Sequence, residues 1–228
     1  MKLTEAVFSY GPYLAGFAFV GAWLYRWGIL RNHTAGSAQP VSPEAEGALT
    51  LGFATLVVGH LTTALAPNTM RVLLADPGRV MVIETVGMVG ALLFAFGVAA
   101  RLRRRLQALR AGQSGQDAAV LVLGLLMLVC LSGLALTVAY RWITVWYAYI
   151  FAPYLRSLVT AEPVTASIVA SPLLVKVHAL LVMALAALWP MAGLELDELF
   201  PLRSVARRFA ARGDERARAA AAATGGPA

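Results

Sequence analysis

The sequence predicts an all-α membrane protein, a bundle of five transmembrane helices. Of its 228 residues, 59% are hydrophobic and only 14% are charged, and the mean hydropathy is +0.70. Soluble domains usually contain about a quarter charged residues, so this composition points to a lipid solvent. The apolar residues are gathered in five runs of about twenty, the length at which a helix crosses a bilayer. Such spans must be helical because an unpaired backbone is not tolerated in lipid.

The five apolar runs cover roughly residues 7–28, 46–66, 80–101, 117–140 and 171–193. The loops between them are polar or basic, and none has the composition of a separate domain. The segment after the fourth run, RWITVWYAYIFAPYLRSLV, is aromatic-rich, too short to cross a bilayer and broken by Pro153. It predicts a short interfacial helix between the fourth and fifth spans. The N-terminus has one lysine and no small-residue cleavage site, so the first helix is expected to stay.

Positive charge is distributed unequally between the two sides of the predicted bundle. The formal net charge of +7 comes from arginines beside apolar runs, which is typical of a membrane protein and not of a nucleic-acid-binding face. Thirteen Lys and Arg residues fall on the side of the odd-numbered loops and the tail, and six fall on the other side. Because cytoplasmic loops carry the excess of positive charge, the N-terminus is predicted outside and the C-terminus in the cytoplasm.

A single cysteine, Cys130, restricts the redox centres that the chain can hold. It excludes an intrachain disulfide, a thiolate zinc site and a cysteine-ligated iron–sulfur cluster. Any redox centre must therefore use other ligands.

Two histidines, His60 and His178, lie within predicted spans, where a histidine is costly and usually functional. Each lies about two turns from the outer end of its helix, so the two share one depth. Two neutral imidazoles on antiparallel helices at one depth are what bis-histidine haem ligation needs, with each second ring nitrogen donating to a backbone carbonyl. Small neighbours, Gly59 and Ala179, are expected to let a macrocycle approach the backbone.

Other readings of the histidines are weaker. Each could instead hydrogen-bond across helices and help to pack the bundle, but independent packing residues have no reason to share a level. A bare zinc or copper ion would be short of ligands, because no carboxylate or thiolate accompanies the pair. His33, in the predicted inner loop, is expected to be a solvated loop residue.

Four charged residues, Arg79, Glu84, Arg141 and Lys176, lie near the outer level of the histidine pair. Haem propionates are acidic and a quinol must lose two protons, so cations and a carboxylate are chemically apt there. We expect Glu84 to accept a proton and Arg79 to bind a quinone carbonyl. Arg141 and Lys176 are candidates for binding the cofactor, although side chains at helix ends also snorkel to the interface without a further role.

These residues resemble the gamma, or cytochrome b, subunit of membrane-bound respiratory nitrate reductases. The resemblance includes PYLAG in the first helix, VGH ending at His60, the GxxG of Gly87 and Gly90, and VHALLVMALAALWP around His178. It implies five helices with the N-terminus outside and quinol oxidation near an outer haem held by His60 and His178. It also implies electron transfer to iron–sulfur and molybdenum subunits.

The sequence departs from the family pattern at the second, inner haem. The two positions that carry its histidine ligands in the family are Thr50 and Leu196 here, so the resemblance implies one haem b instead of two. The family's quinone-contacting lysine is also missing, and Arg79 is the nearest substitute. Loss of the inner haem leaves a gap of about 15 Å. We therefore expect a partner on the outer face, such as an exported molybdoenzyme's iron–sulfur subunit or a cytochrome c.

Residues 1–200 are thus predicted to form one transmembrane haem-binding domain, and residues 201–228 a basic cytoplasmic tail whose end frays. The expected function is a multi-pass electron-transfer subunit of a quinol-dependent oxidoreductase in a prokaryotic cell membrane, without a terminal catalytic site. A haem-free membrane anchor or small transporter using the histidine pair is an alternative, although a transporter is expected to contain broken helices. A quinone-reducing subunit of an outer-facing dehydrogenase is another.

Overall fold

A computed structural model describes residues 2–28, 41–140 and 142–192, and every regular element in these ranges is a helix. In chain order the helices are α1 (Leu3–Gly28), α2 (Pro43–Leu65), α3 (Pro67–Leu73), α4 (Pro77–Arg110), α5 (Asp117–Ala139), α6 (Ile143–Trp146), α7 (Ala152–Val159), α8 (Ala166–Ala170) and α9 (Leu173–Leu188). A π-helical turn, Tyr147–Phe151, joins α6 to α7, and a 3₁₀ turn, Trp189–Ala192, extends α9.

Five helices in this part of the chain, α1, α2, α4, α5 and α9 with its 3₁₀ turn, are long and apolar enough to cross a membrane. Each overlaps one of the five predicted spans over most of its length, so the predicted all-α fold with five spans is confirmed for the described residues. The largest difference is at α4, which has 34 residues and continues to Arg110. The basic sequence RLRRRLQALR after the apolar run consists of good helix formers, so the helix continues beyond its apolar part.

The surface of the bundle is apolar, as a lipid solvent requires. Only 11–33% of the residues in the most apolar stretch of each spanning helix are buried against protein. Large apolar side chains instead face outwards, including Phe17 (76% exposed), Val82 (63%) and Val138 (79%). Soluble proteins rarely expose such large apolar surfaces. The chain is therefore a multi-pass membrane protein.

The spanning helices pack in the order α2, α4, α5, α9 and α1. The contact between α2 and α4 is especially close because glycines line it. A Cβ atom at Gly90 would lie 2.6 Å from Thr55 Cγ2, and one at Gly97 would lie 2.5 Å from Leu49 Cβ. Small residues allow helix backbones to approach in this way where no hydrophobic effect drives them together.

Short helices gather at one end of the bundle, where α2 and α5 end and α4 and α9 begin. We call this end the cap end. The helical run Ile143–Val159 buries Ala148, Ala152 and Tyr154 while Trp146 and Arg156 face outwards. The Tyr154 hydroxyl donates to the Phe8 carbonyl at 2.7 Å and so ties this run to α1. The helical segment that the sequence predicted is present, and its place at the membrane interface stays a prediction.

Some of the predictions concern residues outside the described ranges. These are His33, Arg141, Leu196 and the basic tail, residues 201–228. The orientation of the bundle across the membrane also stays a prediction.

Candidate cofactor site between two histidines

The two intramembrane histidines lie at one level near the cap end. His60 comes five residues before the last residue of α2, and His178 comes five residues after the first residue of α9. Each is therefore about 7.5 Å along its helix from the cap end. The fold thus brings together two residues that are far apart in sequence.

The hydrogen bond of His60 determines its tautomer. Nδ1 lies 2.8 Å from the carbonyl oxygen of Leu56, one turn earlier in α2. A carbonyl only accepts, so Nδ1 carries the hydrogen and Nε2 has a lone pair available. The Tyr147 ring meets the His60 ring edge-on, with 5.3 Å between centroids, and its hydroxyl donates to the His60 carbonyl at 3.5 Å.

His178 also carries its hydrogen on Nδ1, but its hydrogen-bond partner is on another helix. Its Nδ1 lies 2.8 Å from the hydroxyl oxygen of Ser132 on α5. Ser132 donates its only hydrogen to the Val129 carbonyl at 3.0 Å, so its oxygen must accept from Nδ1. Both histidines therefore present an Nε2 lone pair, which is the form of imidazole that binds a metal ion.

A glycine shapes the surroundings of the His178 ring, whereas the backbone beside His60 is open. A Cβ atom at Gly133 would lie 3.3 Å from His178 Cε1, so the absence of a side chain lets α5 approach the ring. A Cβ atom at Gly59, beside His60, would meet nothing within 4 Å. Ala179 is 4% exposed and packs in a cluster with Phe8, so it joins α9 to α1 instead of opening a space beside the ring.

His60 and His178 are the two residues of the described chain that could hold a haem. Over their described residues, α2 packs mainly on α4, whereas α9 packs mainly on α1 and α5. The two helices that carry the ligands are therefore held by separate neighbours. Each imidazole has its second nitrogen hydrogen-bonded, as the ligands of metal sites usually do.

The predicted quinol residues do not share one face of α4. Glu84 Oε1 accepts from the Thr144 backbone N–H at 3.2 Å, so this carboxylate contacts the beginning of α6. Arg79 is exposed in the first turn of α4, about 140° around the helix from Glu84. Lys176 is half-buried and comes two residues before His178. Roles for these three residues stay predictions.

Sequence reasoning missed three residues around the histidines: Ser132, Gly133 and Tyr147. A weak signal existed for the first two, because a serine followed by a glycine interrupts α5, the most apolar of the five spans. A polar group at such depth needs a partner, but spacing along the chain does not tell which helix supplies it. Tyr147 gave no signal of its own within an aromatic-rich segment.

Five apolar helices define the class of the protein, a multi-pass membrane protein, and the pair of histidines at one level is consistent with a cytochrome b-like subunit. A comparison with family models assigns it further. The model of the nitrate reductase gamma subunit matches residues 4–210, and the chain belongs to this family. The resemblance seen in the motifs is therefore confirmed, and the family is a subunit of an oxidoreductase complex. A comparison with curated proteins gives no match.

Proposed function

We propose that the chain is the membrane cytochrome b subunit of a nitrate-reductase-like respiratory complex. It oxidises quinol near the cap end and passes the electrons through one haem b to a partner subunit. The observation that carries this proposal is the pair of imidazoles at one level, both with Nε2 available. Haem b, when bound by His60 and His178, supplies one-electron redox chemistry.

The remaining groups near the cap end would handle quinol and its protons. Glu84 accepts one backbone N–H, and an ionised carboxylate has further lone pairs with which to accept a proton. Arg79 is exposed and can donate to a quinone carbonyl. Tyr147 covers the His60 ring from one side. Lys176 lies in the first turn of α9, nearer the cap end than His178, and supplies a positive charge suited to an acidic propionate.

The packing around Thr50 supports one haem per chain. The Thr50 hydroxyl donates to the Glu46 carbonyl at 2.8 Å, within its own helix. Its neighbour Leu49 is fully buried, with its Cβ 2.5 Å from where a Cβ of Gly97 would lie. Direct contact between α2 and α4 thus fills the side of α2 on which Leu49 lies. Thr50 has its hydroxyl bonded within its own helix and offers no imidazole to a haem iron, so α2 supplies one histidine ligand, His60.

The same geometry supports a partner at the cap end. From the two histidines, the opposite ends of α2 and of the 3₁₀ turn after α9 lie about 20 to 25 Å away along the helix axes. The excess of positive charge on the opposite side supports an outward-facing cap end in a prokaryotic cell membrane. The electron acceptor would then be an outer-face partner, either an exported molybdoenzyme's iron–sulfur subunit or a cytochrome c.

Reduced-minus-oxidised visible spectra with a haem-to-protein ratio test the proposal. We expect about one b-type haem per purified wild-type chain, and its loss in His60→Ala and in His178→Ala because each removes an axial ligand. His33→Ala is the matched control and should retain the haem. A wild-type protein without haem would overturn the proposal, and two haems per chain would overturn the single-haem assignment.

A further inference from the structure

The hydrogen bonds of the two histidines differ in origin. His60 Nδ1 is held by its own helix, through the Leu56 carbonyl. His178 Nδ1 is held by Ser132, which is 46 residues earlier in sequence and belongs to α5. The orientation of the His60 ring is therefore set within α2, whereas that of the His178 ring depends on how α5 packs against α9.

Ser132 relays the hydrogen bond of His178 to the α5 backbone. The Nδ1–H group donates to the hydroxyl at 2.8 Å, and the hydroxyl donates to the Val129 carbonyl at 3.0 Å. In a low-dielectric interior, hydrogen bonds in a chain polarise and strengthen one another. The hydroxyl thus draws the Nδ1 hydrogen away from the ring and increases the electron density at Nε2.

Gly133, the next residue, allows this contact. A Cβ atom there would lie 3.3 Å from His178 Cε1 and 3.8 Å from Nδ1. A side chain at position 133 would push α5 away from the ring and lengthen the bond from Ser132. Two adjacent residues of α5, Ser132 and Gly133, thus both contact the imidazole of His178.

We propose that Ser132 is the positioning residue for His178, holding its imidazole in the Nδ1–H form and increasing the donor strength of Nε2. This inference rests on the proposed function, in which Nε2 binds haem iron. A stronger donor stabilises ferric iron over ferrous iron. Loss of the Ser132 hydroxyl is therefore expected to raise the midpoint potential of the haem, and to weaken haem binding by roughly 10-fold or more.

A series of substitutions at position 132 tests the proposal in the full-length purified protein. Redox titration gives the midpoint potential, haem titration gives the affinity, and the low-temperature electron paramagnetic resonance spectrum of the oxidised haem reports the ligand field. We expect Ser132→Ala to raise the potential and shift the spectrum, Ser132→Cys to do so less, and Ser132→Thr to stay near wild type. These variants should follow the order of hydrogen-bond acceptor strength.

Thr137→Ala is the matched control. Its hydroxyl also lies on α5, but it donates to the Gly133 carbonyl of the same helix at 3.1 Å. We expect its haem potential to equal that of wild type. A wild-type potential, affinity and spectrum in Ser132→Ala would overturn the role of Ser132. If Ser132→Ala does not fold, a wild-type potential in Ser132→Cys would overturn the role of Ser132 instead. Either result would leave the proposed function intact. The proposed function fails by a different outcome, a wild-type protein that binds no haem.

Discussion

At the scale of the residue, the site depends on which nitrogen of each imidazole is already occupied. A carbonyl oxygen holds His60 Nδ1 and a hydroxyl oxygen holds His178 Nδ1. Two histidines that only packed the bundle would be expected to use both nitrogens within the protein. Neither ring needs to change its tautomer to bind iron, which lowers the cost of forming the site.

Gly133→Ala is expected to weaken haem binding without destabilising the helix. The new methyl group would lie 3.3 Å from His178 Cε1, so the ring or α5 must shift by a few tenths of an ångström. Alanine itself favours a helix over glycine by about 1 kcal/mol. Haem titration of the purified protein should show a lower affinity while the thermal stability of the haem-free form is unchanged or higher.

The control for this substitution is Gly124→Ala in the same helix. A Cβ atom at Gly124 would meet nothing within 4 Å. This variant should keep the wild-type haem affinity. Equal affinities in the two variants would show that α5 does not constrain the His178 ring.

At the scale of the element, single hydrogen bonds tie the short helices of the cap end to the spanning helices. The Tyr154 hydroxyl donates to the Phe8 carbonyl of α1, and the Tyr13 hydroxyl of α1 donates back to the Leu158 carbonyl at 2.9 Å. Glu84 of α4 accepts from Thr144 at the beginning of α6. The helical run Ile143–Val159 is therefore held at both of its ends.

Tyr154 is expected to make the stability of this attachment sensitive to alkaline pH. Burial, reinforced by the neighbouring Tyr13, raises the pKa of the Tyr154 hydroxyl from 10.0 to about 12. Between these values the unfolded chain has lost the proton that the folded chain keeps, so the free energy of unfolding falls as pH rises through this window. Thermal melts in detergent should show a decrease in melting temperature there.

The variant Tyr154→Phe removes both the hydrogen bond and the ionisable group. It should be less stable than wild type at neutral pH by about 1 kcal/mol. Its melting temperature should also decrease less than that of wild type between pH 10 and 12. The exposed Tyr10 provides the control, and Tyr10→Phe should behave like wild type. A wild-type alkaline decrease in Tyr154→Phe would assign the effect to another group.

At the scale of the whole molecule, the five spans could be predicted because hydrophobic length is a property of each run alone. The shared level of His60 and His178 could also be predicted, since it follows from counting residues to each helix end. Ser132 and Gly133 could not, because their importance depends on α5 being the neighbour of α9. The glycine contacts between α2 and α4 also depend on which helices are neighbours. The sequence motif therefore indicated Gly90 but could not indicate its contact residue, Thr55.

The predicted orientation can be measured with single cysteines, because the one native cysteine, Cys130, is buried. Glu162 is exposed at the cap end, and Gln113 is exposed in the turn between α4 and α5 at the opposite end. In intact cells, a thiol reagent that does not cross membranes should label Glu162→Cys and not Gln113→Cys. Inverted vesicles should give the reverse pattern. Labelling of Gln113→Cys in intact cells would place the cap end in the cytoplasm.

The close contact of α2 with α4 has a consequence for energy conservation. Leu49, Gly52, Phe94 and Gly97 bring α2 and α4 into direct apolar contact on the side of the bundle away from the histidines, and apolar contacts of this kind are an electrical insulator. If quinol gives up its protons and its electrons on the same side, no charge moves through the membrane field, in which each elementary charge is worth about 2.3 kcal/mol per 100 mV. Turnover of the proposed complex would then be electroneutral and would generate no membrane potential by itself.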